Sequence, residues 1–181
     1  MVAGGETRLQ VLISRQQIAA AVERLAVEVR RDYRDVSPLL VGVLRGAFVF
    51  LADLVRALEM PLTLDFVRMA SYGTGTETSG KPRIVHGLRS PVKGRHLLVV
   101  EDIVDTGLTT RFLLDYLGAK GAASVKLCAL LSKPARRQVD VPIHYLGFTV
   151  PDRFVVGYGL DFAQQYRYLP DVCVLEGAGV P

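Results

Sequence analysis

Cysteine is scarce in this chain of 181 residues, which holds two, Cys128 and Cys173. Both sit in apolar runs with no second cysteine or histidine at metal-ligand spacing. That excludes a disulfide framework and leaves buried free thiols as the expected state. Free thiols in turn point to a reducing, cytoplasmic setting. Long hydrophobic runs are missing too: none approaches the ~20 residues that a membrane-spanning helix needs. Residues 1–8 carry Glu6 and lack an apolar stretch, so no secretory signal is expected there. The chain shows neither an internal repeat nor a low-complexity linker. A large excess of one charge is also absent, since 22 basic residues face 18 acidic ones for a net +4. Most of the basic residues are arginine. This balance fits anionic small molecules as well as nucleic acid and decides neither.

What is present is a globular profile, 50% hydrophobic and 22% charged, of a length that suits one domain. Ser14 followed by Gln17 forms a capping box, and Ile18, Val22, Leu25 and Val29 then repeat at helical spacing to about Arg31. Residues 38–44 read as a buried strand, 47–58 as a helix and 62–69 as the next strand. A polar, glycine-rich loop covers 71–80. Short strands are expected at 84–88 and 172–175. A helix containing 111–117 is placed to end near Gly121. Residues 125–131 form a further strand, followed by a basic loop at 134–139. Extended runs at 143–149 and 154–157 flank a turn in which Pro151 presets the backbone. No element is assigned to 161–169. Strands alternate with helices, so the class is α/β with a mostly parallel sheet.

The chain is organised around Leu97-Leu98-Val99-Val100-Glu101-Asp102-Ile103-Val104-Asp105-Thr106-Gly107-Leu108-Thr109-Thr110. It opens as a buried strand and closes into a helix. Ligands of open α/β sheets bind beyond the carboxyl ends of the strands, and a helix start offers free N–H groups to an anion. Gly107 permits close backbone approach, and Thr106, Thr109 and Thr110 carry hydroxyl donors. Carboxylates at the other end of the turn suit sugar hydroxyls and a divalent cation. A plainer reading makes the acids solvated and gives Asp105 or Thr106 the helix cap.

This stretch resembles the phosphoribosyl pyrophosphate signature of type I phosphoribosyltransferases, in the form used by the hypoxanthine-guanine branch. The resemblance implies a parallel sheet flanked by helices in a single domain over 1–181. A small hood would come from the N-terminal residues and about 160–181, and a lid loop from about 71–82. It implies that Asp105 is the catalytic acid/base at purine N7. Glu101 and Asp102 would hold the ribose hydroxyls, and Thr106, Gly107, Leu108 and Thr109 the 5-phosphate. Leu44-Arg45-Gly46 matches the family's pyrophosphate turn, often built on a non-proline cis peptide. Arg45 stands where lysine is usual, which keeps the charge and changes the donor geometry. Ser71-Tyr72 matches the start of the lid, which would exclude water.

Lys133 matches the lysine that reads the 6-oxygen of the purine; an ammonium has donors only and rewards an oxo group over an amine. In Phe154-Val155-Val156-Gly157-Tyr158-Gly159-Leu160-Asp161, Phe154 would stack on the base and Val155 read its edge. Asp161 would join Glu101 and Asp102 around magnesium, and Arg167 would join Arg45 and Gly46 on pyrophosphate. An all-oxygen donor set suits magnesium or manganese. The implied reaction joins phosphoribosyl pyrophosphate to N9 of hypoxanthine or guanine, giving IMP or GMP and pyrophosphate. The implied assembly is a dimer or tetramer, with no nucleic-acid or membrane partner. Two alternatives stay open: a xanthine- or guanine-preferring transferase, and an RNA-binding regulator on the same fold. Pyrimidine-operon regulators carry a tyrosine at the position of Asp105, which speaks against the second.

Overall fold

The computed structural model describes residues 8–71 and 82–177. After strand β1 (Arg8–Ile13), Ser14 caps helix α1 (Arg15–Asp32). Its hydroxyl accepts from Gln17 N–H while the Gln17 side chain accepts from Ser14 N–H, the reciprocal pairing that the sequence predicts. Strand β2 (Leu39–Leu44), helix α2 (Phe48–Leu58) and strand β3 (Thr63–Ser71) follow as one parallel strand–helix–strand unit. Then come β4 (Pro82–His86), β5 (His96–Val104), α3 (Leu108–Ala119), β6 (Ser124–Ser132), a single 3-10 turn at Pro134–Arg136, β7 (Tyr145–Thr149), β8 (Val155–Val156) and β9 (Val172–Glu176).

Six strands form one sheet in the order β4-β3-β2-β5-β6-β7, parallel throughout except for β4 on the edge. At its centre, Leu39–Leu44 of β2 and Leu97–Val100 of β5 carry no polar side chain because both faces are covered. Successive residues of β5 alternate between two cores. Leu98 and Val100 face α1 and α2 with Leu25, Phe50, Leu54 and Cys128, whereas Leu97 and Val99 face α3 with Leu113 and Leu117. Gly121, at φ 81°, follows the end of α3. The order reverses at the β2–β5 pair: α2 carries the chain outward to β3 on one side, and α3 carries it to β6 on the other. The carboxyl ends of β2 and β5 therefore border a crevice at a topological switch point.

The turn at 150–153 moves the chain out of this sheet. Residues beyond it form a three-stranded antiparallel sheet ordered β1-β9-β8, so the small sheet joins segments from near both ends of the chain. Cys173 is buried there with Val156 and Leu175, and both cysteines are free. Residues 161–169, left unassigned from sequence, form tight turns with a bridge between Phe162 and Gln165. Ala163, Gln164 and Tyr166 adopt left-handed φ values of 49°, 66° and 72°, which no local propensity announces. At the opposite edge of the large sheet, Asp32 accepts from Tyr145 Oη (2.8 Å) and Lys126 Nζ (3.0 Å), tying the end of α1 to β6 and β7. No helix among the described residues is long and apolar enough to cross a membrane.

Candidate active site

A cavity of about 270 Å³ opens at the switch point. Its walls come from the end of β2 and the turn after it (Val43, Leu44, Gly46), from Met69 of β3, and from Glu101, Asp102, Ile103, Asp105, Thr106, Gly107, Thr109 and Thr110 at the end of β5 and the start of α3. The carboxyl end of β5 brings in Glu101 and Asp102. Glu101 is 7% exposed, and its carboxylate accepts from the Thr110 hydroxyl at 3.1 Å. Burial first, then the neighbouring Asp102 charge, push its carboxyl up to about 8. Asp102 is pushed up to about 6, again chiefly by burial, against the pull of its backbone hydrogen bonds and of Arg167. Neither carboxyl is hydrogen-bonded to a basic side chain among the described residues.

The turn after β5 starts α3 at Gly107, whose φ of 85° and lack of side chain make it the cap. Neither Asp105 nor Thr106 caps the helix, so the plainer sequence reading fails here. A Cβ on Gly107 would come within 2.8 Å of Val141 and 3.0 Å of Arg137 and the Val139 carbonyl. Arg111 N–H, donating to Gly107 O (2.8 Å), is the first in α3 with an acceptor four residues back. The N–H groups of Thr109 and Thr110 ahead of it have no backbone acceptor among the described residues, the condition for holding an anion. The Thr106 hydroxyl accepts from Leu108 N–H at 3.4 Å. Thr110, expected to add a hydroxyl to the turn, spends it on Glu101. One carboxylate oxygen of Asp105, Oδ1, is buried without a hydrogen-bond partner, and Arg136 Nε lies 3.5 Å from it.

Across the crevice, the Leu44–Arg45 peptide is cis, and Arg45 is exposed. Gly46 touches Asp102 so closely that a Cβ would sit 1.7 Å from its Oδ2. Gly159, at φ 97°, packs on the Gly46 carbonyl, where a Cβ would sit at 2.3 Å. The residues 157–161 are thereby seated on the Arg45-Gly46 turn. Asp161 and Arg167, given separate ligands from sequence, are paired with each other at 2.7 Å, and Arg167 also donates to Gly159 O. Among the described residues no three Asp, Glu, His or Cys side chains converge as a ready-made metal cage.

Lys133, at the end of β6, is buried at 4% exposure, with Nζ 3.9 Å from Asp152. Phe154 is half-buried against Phe162, edge to face with centroids 5.5 Å apart. Val155 is buried and pairs with Val174. Of the expected lid, residues 72–81 fall outside the described residues; the backbone of Ser71 ends β3 and pairs with Pro82 at the start of β4. Sequence reading missed the supports behind these groups. Tyr158 donates from its hydroxyl to Asp53 of α2, bracing the 157–161 segment. Arg137 donates to the carbonyls of Val104 and Asp105. Basic composition was the only signal of Arg137, and it does not separate a clamp from a solvated side chain.

A family model described as a phosphoribosyl transferase domain matches residues 12–163. The chain is 44% identical over 169 residues to the hypoxanthine-guanine phosphoribosyltransferase of Bacillus subtilis (strain 168), covering 93% of this chain and 94% of that protein. It is 43% identical over 164 residues to the hypoxanthine phosphoribosyltransferase of Haemophilus influenzae, with 89% and 92% covered. A crystal structure of a hypoxanthine-guanine phosphoribosyltransferase from Bacillus anthracis superposes with a TM-score of 0.87 at 41% identity, covering 93% of this chain and 99% of that one.

Proposed function

The chain belongs to the phosphoribosyl transferase domain family, and from that premise we propose that it transfers a 5-phosphoribosyl group from phosphoribosyl pyrophosphate to N9 of hypoxanthine or guanine. It is a phosphoribosyltransferase of purine salvage. The products are IMP or GMP and pyrophosphate. The observation that carries this reading is one cavity with two carboxyls, Glu101 buried and Asp102 part-buried, at one end and the free N–H groups of a helix start at the other.

The turn Thr106, Gly107, Leu108 and Thr109 holds the 5-phosphate, which suits its unbonded N–H groups. Glu101 and Asp102 hold the ribose hydroxyls and favour the positive charge that develops on the ring as pyrophosphate leaves. Asp105, whose carboxylate is paired with Arg136 Nε at 3.5 Å, faces purine N7 and serves as general acid/base. Arg45, Gly46 and Arg167 bind pyrophosphate. Lys133 donates to the 6-oxygen, with Phe154 stacked on the base and Val155 at its edge. Ser71 and Tyr72 begin the lid that excludes water.

The donor chemistry fits magnesium: neighbouring carboxyls, Glu101 buried and Asp102 part-buried, gain from a hard cation, and Asp161 lies close enough to raise Asp102. When bound with one or two of these carboxylates and substrate oxygens, the ion supplies positive charge to the departing pyrophosphate. The test is turnover with phosphoribosyl pyrophosphate and magnesium against hypoxanthine, guanine, xanthine, adenine and uracil. Hypoxanthine and guanine are the expected substrates. Turnover confined to adenine or uracil overturns the reading.

A further inference from the structure

We propose that Arg137 is a positioning residue that sets the shape of the anion-binding turn and ties it to the element carrying Lys133. The proposal rests on the reading of residues 106–109 as the 5-phosphate cradle. The half-buried guanidinium of Arg137 donates from Nε to Asp105 O (3.1 Å) and from Nη2 to Val104 O (3.1 Å) and Ser132 Oγ (2.8 Å). Val104 O also accepts from Lys133 N–H (3.0 Å), and Thr106 O accepts from Gln138 N–H (2.9 Å). Three consecutive carbonyls, those of residues 104, 105 and 106, are thus drawn to the segment 132–139.

In a trans peptide the N–H points opposite to the C=O. Holding those carbonyls therefore turns the N–H groups of Asp105, Thr106 and Gly107 away from 132–139. That segment contributes nothing to the cavity wall, whereas Asp105, Thr106 and Gly107 all line it. The Arg137 stem completes the support, since its Cδ lies 3.0 Å from where a Gly107 Cβ would be. A planar fork is needed to reach two carbonyls and a hydroxyl from one side; a lysine ammonium reaches them only one at a time. Because Ser132 precedes Lys133, the same guanidinium fixes the phosphate end of the site relative to the base end.

A structural brace would lower thermal stability and weaken every ligand alike. A positioning residue for the turn weakens the phosphate end selectively. The test compares wild type with Arg137→Met, and with Arg137→Lys, which keeps charge and stem should the methionine variant not fold. Competitive inhibition constants are measured for ribose 5-phosphate and for pyrophosphate, alongside the KM for hypoxanthine and direct binding of ribose 5-phosphate by calorimetry. The loss of at least two of these three charge-assisted bonds predicts about tenfold weaker ribose 5-phosphate binding in either variant, with pyrophosphate and hypoxanthine constants within about twofold of wild type. Unchanged ribose 5-phosphate binding in a folded variant, or equal losses for all three ligands, overturns the proposal. A wild type that binds ribose 5-phosphate without turning over any purine would refute the functional reading, and the calorimetric comparison would still decide the role of Arg137.

Discussion

Replacing Glu101 by glutamine is expected to stabilise the fold at alkaline pH while removing activity. The buried Glu101 carboxyl is raised from 4.5 to about 8, first by loss of solvation and then by the Asp102 charge. A carboxyl raised in the folded state holds its proton more tightly there than in the unfolded chain. Its ionisation therefore costs no stability below about pH 4.5. The cost grows from there to about pH 8, where the folded protein too has lost the proton. The full shift corresponds to at most ~5 kcal/mol, and relaxation around the charge leaves ~2 kcal/mol as the working figure. Glutamine keeps an oxygen for the Thr110 hydroxyl, so the variant loses the charge and little else. For a chain of this length ~2 kcal/mol is a rise of roughly 4–8 °C in melting temperature. Thermal unfolding with a chelator present, at pH 5 and pH 8, measures it. The variant should melt higher than wild type at pH 8, with the gap mostly closed at pH 5. An offset equal at the two pH values, or a variant less stable at pH 8, would refute the reasoning.

Asp105→Ala is expected to lower turnover by ~10²–10⁴ while nucleotide binding by calorimetry is largely kept; near-wild-type turnover in the folded variant removes the assignment. Lys133→Ala should cut the ratio of specificity constants for hypoxanthine over adenine, because an amine facing an ammonium leaves donors unpaired on both sides; a large ratio unchanged by the substitution places the selectivity in the main chain around Val155. Activity should vanish on chelation and return with magnesium, whereas full activity after exhaustive chelation excludes a divalent cation. Asp32 is held at about 2 by the Tyr145 hydroxyl and Lys126, so its contribution is complete above pH 3.8 and lost as the pH falls through 2. With its side chain 25% exposed, solvent screening leaves ~1 kcal/mol of that contribution. Asp32→Asn should accordingly melt lower than wild type at pH 7, and the two should converge near pH 2.

The local chemistry of this protein was legible in its sequence wherever one segment carries its own instructions. Ser14 and Gln17 sit at the spacing of a capping box, and they make one. The apolar run Leu97–Val100 needed burial on both faces and became a central strand. Gly107 stood where only a glycine takes φ 85° at the start of a helix. Family membership was legible for the same reason, because the acids, the Thr-Gly turn and the helix start lie within one continuous stretch. Tertiary structure decided what joins residues distant in the chain. Gly46 reads from sequence as part of a pyrophosphate turn, but nothing there shows that Asp102 fills the space of its side chain. The Thr110 hydroxyl faces Glu101 rather than the turn only because one helix turn and one strand end meet there. Arg137 becomes a clamp only once β6 lies beside β5 and brings the Val104 and Asp105 carbonyls within its reach. Left-handed backbone at Ala163 and Gln164 is closed by the reciprocal Phe162–Gln165 hydrogen bonds and by Gln164 N–H donating to Asp161 (2.9 Å), while Phe162 and Tyr166 on either side pack against Val156, Cys173 and Leu175 of the small sheet. A sequence states preferences between near neighbours; the raised carboxyls, the clamp and the cavity itself come from contacts between elements, which exist only when the sheet has assembled.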